Sequence, residues 1–269
     1  MNLKLVTVVI PIYKEDMSEF ECLSFRQCLH VLRDYEITIM TYQELSLANY
    51  LKICSDYSKL INVEYFNCSY FQSVADYNKL MLSKMFYERF SAYEYILIYQ
   101  LDAFVFRDEL AYWCSLGYDY IGSPWLRVNK EGDLFLLGVG NGGFSLRKVQ
   151  YCMRILEYPS WLPFQNPWFL LKSCSTLKAA LALLPKILGF GNCLSAFRNK
   201  HRMINEDVVF GYFALNSWLI CNIPDPTIAM KFSFESNPSF LFRLNDNKLP
   251  FGCHAFERHE YNSFWKEQL

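Results

Sequence analysis

The sequence predicts an α/β fold: a mixed, mostly parallel sheet flanked by helices. Three observations carry this reading. Apolar, β-branched runs recur through the first hundred residues, segments with helical spacing separate them, and the first run is continuous, as in a strand buried on both faces, whereas Ile61 to Phe66 alternates in part. The first run is Leu3 to Ile12, stopped by Pro11 and followed by Lys14-Glu15-Asp16. Helical spacing follows from about Phe20 to Leu32, then a β-rich run from Glu36 to Thr41, a short helix from Leu45 to Ile53 and a strand from Ile61 to Phe66. From Ser73 to Phe90 apolar residues return every three or four positions, giving one amphipathic helix that leads into the strand Tyr95 to Leu101. The second half is less regular: a glycine cluster at Gly138 to Gly143, a helix from about Lys148 to Leu156, a Pro/Trp-rich stretch from Pro159 to Trp168, a helix starting at Asn205 and a strand near Leu219 to Ile223. With no repeat and no long linker, the chain reads as one domain over 1–269, its first half to about residue 122 and its second from about 123.

Composition narrows the function classes. Lys and Arg number 26 against 27 Asp and Glu, so no global basic field attracts nucleic acid. The 10 cysteines stand singly with no Cys-x-x-Cys, which argues against structural zinc, and they are read as reduced thiols of a cytoplasmic protein. Met1 to Tyr13 lacks a cleavage site and a typical basic start, and is not read as a signal peptide. No apolar run reaches the ~20 residues of a membrane-spanning helix. Lys172 to Leu188 is strongly apolar with Lys172, Lys178 and Lys186 interspersed; it is read first as a core helix, and otherwise as a segment lying on a membrane surface.

Five segments can carry chemistry. In Tyr95 to Phe106, Asp102 is read at the end of a buried strand, at the carboxyl edge where open α/β sheets place ligands; Mg²⁺ or Mn²⁺ shared with a diphosphate would offset its burial, the alternative being a turn cap. The first strand runs into Pro11-Ile12-Tyr13-Lys14, where Tyr13 can stack on a base and Lys14 can meet phosphate, although such a run is also a common turn. Gly138 to Gly143 holds four of the chain's 11 glycines around Asn141; the spacing is not a dinucleotide fingerprint, and the alternatives are a sugar-contacting loop built on Asn141, Gly142 and Gly143 or a flexible turn. Asn205-Glu206-Asp207 reads as a helix start capped by Asn205, or as the source of a general base, Asp207 or else Glu206. A helix N-terminus lowers a carboxylate pKa, so that base is expected to titrate no higher than an ordinary carboxylate. Of the four histidines, His254, in Pro250 to Phe256, is the candidate second metal ligand or diphosphate donor; His30, His201 and His259 have no comparable setting.

Taken together, Val-Ile-Pro-Ile-Tyr-Lys, Tyr-Gln-Leu-Asp-Ala-Phe-Val-Phe, Gly-Asn-Gly-Gly-Phe-Ser-Leu-Arg, Asn-Glu-Asp-Val and Phe-Gly-Cys-His-Ala-Phe resemble a family of glycosyltransferases from bacterial surface-polysaccharide gene clusters, long catalogued as a domain of unknown function. The blocks run from about residue 6 to 256 in family order, and residues between about 159 and 200 carry none of the likeness. The resemblance implies a GT-A fold, a Rossmann-like nucleotide-binding half followed by an acceptor half. It also implies a nucleotide-sugar donor, a saccharide acceptor, possible lipid linkage of that acceptor with peripheral membrane contact, and Mn²⁺ or Mg²⁺. The Asp-x-Asp signature of such enzymes would fall on Gln100-Leu101-Asp102, leaving a neutral amide in place of its first carboxylate. In the implied inverting transfer, Tyr13 and its neighbours hold the nucleotide, Asp102 and His254 the cation, Asn141 and the adjacent glycines the sugar, and Asp207 the acceptor proton. Rival readings are a sugar nucleotidyltransferase, disfavoured because no basic Gly-rich loop follows the first strand, and a non-catalytic carbohydrate-binding or scaffold protein, which Gln100 keeps in play.

Overall fold

A computed structural model describes residues 3–172, 174, 176–199 and 204–269; His201 lies outside them. Its centre is a sheet of six strands in the order β3-β2-β1-β4-β9-β6, formed by β1 (Lys4–Pro11), β2 (Glu36–Thr41), β3 (Ile61–Tyr65), β4 (Tyr93–Tyr99), β6 (Tyr120–Ile121) and β9 (Phe144–Lys148). The four strands from the first hundred residues are parallel, and β9 runs antiparallel to both β4 and β6. Val8, Val9 and Ile10 on β1 and Ile96, Leu97 and Ile98 on β4 are fully buried, which is why these strands are continuous apolar runs. Helices α1 (Glu19–Val31), α2 (Ala48–Asp56), α3 (Val74–Met81), α4 (Lys84–Arg89), α5 (Leu110–Ser115) and α6 (Val149–Leu156) accompany the sheet.

Two smaller sheets complete the frame. One, β10-β11-β5, joins β5 (Ala103–Val105) to β10 (Ser233–Phe234) and β11 (Gly252–His254); the other is the hairpin of β7 (Pro124–Val128) and β8 (Leu134–Val139). Helix α1 starts with a capping box between Ser18 and Glu21, then fastens β5: Ser24 Oγ donates to the Ala103 carbonyl at 2.6 Å and Gln27 Nε2 to that of Val105 at 2.8 Å. Helix α1 thereby holds both ends of β5, just past the turn from β4.

Several expectations are corrected. Ser73 to Phe90 is two helices, because Ser83 caps a new helix by accepting from Phe86 N. The strand read as Tyr95 to Leu101 is Tyr93–Tyr99, so Asp102 lies in the following turn, where Ala103 N donates to the Gln100 carbonyl at 2.9 Å. Leu219 to Ile223 is not a strand; Asn222 N donates to Asp119 Oδ2 instead. Lys172 to Leu188 is not core: α7 (Pro167–Lys172) is followed by α8 (Leu177–Ala182) and α9 (Leu184–Ile187), and neither of the last two buries a single residue. Beyond them come α10 (Leu194–Phe197), a π-helical segment Val208–Phe213, α11 (Pro226–Phe232) and α12 (Pro238–Leu244).

Candidate functional site

Strand order reverses between β1 and β4, and doubly wound sheets bind ligands beyond the carboxyl ends of the strands that flank such a reversal. Register then decides which side chains meet there. Strand β11 runs antiparallel to β5 with His254 opposite Ala103, so His254 lands beside Asp102. Strand β10 runs parallel to β11 with Phe234 opposite Cys253, so Glu235, the next residue, reaches the other side of the imidazole. His254 Nε2 lies 3.1 Å from Asp102 Oδ1 and 3.3 Å from Gln100 Oε1, and Nδ1 lies 3.1 Å from Glu235 Oε1. The exposed Arg258 guanidinium lies 3.1 Å from Asp102 Oδ2.

The electrostatics follow from this packing. Burial pushes the Asp102 carboxyl up, but the His254 hydrogen bond and charge and the Arg258 charge outweigh it and hold the carboxyl below its usual value. Burial pushes His254 down, yet Asp102 and then Glu235 raise it to about 10, so without a cation the ring is an imidazolium bridging two carboxylates. The oxygens here demand positive charge.

A divalent cation fits that demand. Ligands about 2.2 Å from a six-coordinate ion stand roughly 3.1 Å apart, close to the spacings of Asp102 Oδ1 and Gln100 Oε1 from His254 Nε2. Glu235 on Nδ1 would keep the proton there and turn the Nε2 lone pair toward the metal. Among the described residues no cluster of three or more His, Cys, Asp or Glu holds a metal on its own, so the remaining ligands would be ligand oxygens and water. An imidazole donor suits Mn²⁺ better than Mg²⁺, which prefers oxygen throughout.

The glycine loop packs against the same edge. Strand β9 pairs Phe144 with Tyr99, and Gln100 N donates to the Gly143 carbonyl at 2.8 Å. A methyl group on Gly143 would stand 2.0 Å from His254 Nε2, and one on Gly142 would stand 2.0 Å from Glu206 Oε1. These glycines admit protein side chains, so the loop is a tight contact and not a flexible turn. The left-handed residue is Asn141, at φ 69°.

Glu206 and Asp207 have different surroundings. Glu206 Oε1 pairs with Arg147 Nη2 at 2.7 Å, both side chains buried, while Arg147 also donates to the Gly142 carbonyl and the Tyr87 hydroxyl. Asp207 Oδ2 accepts from Asn141 N at 2.7 Å; Asp207 Oδ1 and Asn141 Nδ2 are buried with no protein partner, leaving an acceptor and a donor unused beside the glycine loop. Burial first, then the Glu206 charge, pushes the Asp207 carboxyl up to about 7 against the backbone N–H groups of Asn141 and Val208, with Glu235 adding to the rise. This corrects the expectation of an ordinary or lowered value: desolvation outweighs the helix start. The Asn205 side chain accepts from Asn78 Nδ2, an interaction across the chain.

Tyr13 is exposed just past β1, and Pro11, the last residue of that strand, is buried in the sheet opposite Met40. Lys14 is not free: its ammonium pairs with Glu21 at 2.7 Å. Sequence reasoning missed Glu235, Arg147 and Arg258. Arg147 lay within the quoted glycine block and Arg258 four residues past His254, whereas Glu235 had no local signal.

Comparison with solved structures gives the same fold. The chain is similar to galactosyltransferase LgtC crystallised with donor and acceptor sugar analogs, at 14% identity and a TM-score of 0.51, covering 92% of this chain and 86% of that one. An active-site mutant of LgtC matches at 13% identity and a TM-score of 0.50 with the same coverage. Mouse xyloside xylosyltransferase 1, apo form, is 11% identical with a TM-score of 0.48, covering 93% and 97% of the two chains. The architecture is thus the GT-A fold. No curated protein sequence matches the chain. A family model matches residues 60–254, and on that match the chain belongs to the family described as protein of unknown function, DUF5672.

Proposed function

We propose that the protein is a glycosyltransferase that moves a sugar from a nucleotide-sugar donor to a saccharide hydroxyl, acting as one catalytic unit. The observation that carries the reading is the meeting of Asp102, Gln100, His254 and Glu235 at the carboxyl edge between β1 and β4. The GT-A fold shared with a galactosyltransferase crystallised with donor and acceptor sugar analogs supports it.

In this reading Tyr13 and the end of β1 take the nucleotide, and Arg258 faces the diphosphate. Asp102, His254 and the Gln100 amide oxygen would hold the divalent cation, Mn²⁺ or Mg²⁺, which would supply positive charge for the departing diphosphate. Asn141 Nδ2, unpaired beside the glycine loop, donates to a sugar hydroxyl. Asp207 Oδ1 takes the acceptor proton as the acceptor oxygen bonds to the anomeric carbon and the bond from that carbon to the diphosphate breaks, so configuration inverts. A carboxyl raised to about 7 suits a base working near neutral pH. Glu206 serves by anchoring Arg147 rather than as the base. The acceptor we infer is a lipid-linked saccharide of a bacterial surface polysaccharide, met at the cytoplasmic face of the membrane.

The test is incubation with a panel of nucleotide sugars, Mn²⁺ and saccharide acceptors while free nucleoside diphosphate is measured. Release by the wild type and its loss in Asp102→Asn are the expected results. Pyrophosphate release from a nucleoside triphosphate and a sugar 1-phosphate would instead identify a nucleotidyltransferase, and binding without release a non-catalytic protein.

A further inference from the structure

The excursion between α6 and the π-helical segment presents an apolar surface that the fold leaves uncovered. Leu177 and Leu181 stand one turn apart on α8, Leu184 opens α9 and Leu188 caps its end; all four are exposed, Leu177 to 78% and Leu188 to 69%. Trp161 is 73% and Phe190 71% exposed, and the backbone beside Phe190 runs past Trp161, since a methyl group on Gly189 would meet the Trp161 carbonyl at 3.5 Å. A sequence as apolar as Leu177-Lys-Ala-Ala-Leu-Ala-Leu-Leu-Pro-Lys-Ile-Leu188 that buries no residue of either helix needs something to cover it.

The charge indicates what covers it. From Tyr158 to Asn205 the sequence has six Lys or Arg and no Asp or Glu, in a chain whose totals are 26 and 27. Lys172, Lys178 and Lys186 are exposed among the leucines. Lysine is depleted from the centres of protein–protein interfaces, but at a bilayer its apolar stem lies along the acyl boundary while the ammonium reaches lipid phosphate. Exposed tryptophans at the margins suit the same boundary. We propose that this excursion docks on an anionic phospholipid membrane surface.

Docking would bring the catalytic region close to the bilayer. Gln165 forms a β-bridge with Ser217, Asn166 N donates to the Asn216 carbonyl at 2.8 Å, and the Phe169 and Tyr212 rings meet edge-on at 6.0 Å. These contacts fasten the base of the excursion to the helix that starts at Glu206 and Asp207. No helix among the described residues is long and apolar enough to cross a membrane, so the contact is with the surface.

Flotation of the full chain with phosphatidylcholine vesicles, with and without one-third phosphatidylglycerol, tests the proposal independently of any transfer activity. The wild type should float with the anionic vesicles, stay behind with the neutral ones and be released by high salt. Changing Lys172, Lys178 and Lys186 to Gln together should weaken binding roughly a hundredfold, about fivefold per lysine. Leu181→Glu with Leu188→Glu should abolish it with an unchanged thermal transition, since both side chains are exposed. Failure of the wild type to float, binding that survives both sets of changes, or a dimer by light scattering that the leucine changes dissolve would each overturn the proposal. None of these results bears on whether Asp102 supports transfer.

Discussion

At the scale of single residues, adjacent acids have opposite energetic signs. Burial first, then the charges of Glu206 and Glu235, raise Asp207 from an ordinary 3.8 to about 7, while Arg147 is held by Glu206. Its contribution to stability is full below the unfolded value and is lost as pH climbs through about 7. Asp207→Asn keeps an acceptor for Asn141 N and removes the buried charge. It should therefore stabilise the protein by roughly 2–4 kcal/mol above neutral pH, and by little in acid. Turnover should fall about 10²–10⁴-fold with donor affinity kept. Glu206→Gln strands a buried guanidinium and should cost about 3–5 kcal/mol. Melting curves of both variants across pH check this; a destabilised Asp207→Asn above neutral pH would mean that its carboxylate is stabilised in the fold after all. The sequence announced the acids but not their difference, because Arg147 reaches Glu206 across 59 residues.

At the scale of elements, the site is an outcome of strand register. Strands β1 and β4 were legible because burial on both faces writes continuous apolar runs into the chain. Strands β10 and β11 are two and three residues long, and strands so short leave no periodic signal; hence Glu235 was invisible although it bonds His254. The apolar Lys172 to Leu188 misled because bulk alone does not distinguish a covered core from an uncovered surface. The glycine loop is the joint between sheet and site, and Gly143→Ala tests it. The new methyl group would displace an imidazole held between Asp102 and Glu235, so Mn²⁺-dependent nucleotide affinity should fall about tenfold or more while the central sheet stays intact by circular dichroism. Unchanged affinity would show that His254 is not needed where the structure holds it.

At the scale of the whole molecule, a parallel Rossmann-like half supplies Asp102 and Gln100, and the later chain returns to cover them with His254, Glu235 and the glycine loop. The central sheet takes β9 from beyond residue 122, so the two halves share one sheet. Likeness to LgtC over most of both chains agrees with that plan. The most direct measurement is calorimetric titration of nucleoside diphosphates into the wild type and Asp102→Asn, each with and without Mn²⁺. The account expects wild-type binding that depends on Mn²⁺ and an Asp102→Asn protein in which nucleotide and metal affinity fall together. Equal nucleotide affinity in the two proteins with Mn²⁺ present would contradict it.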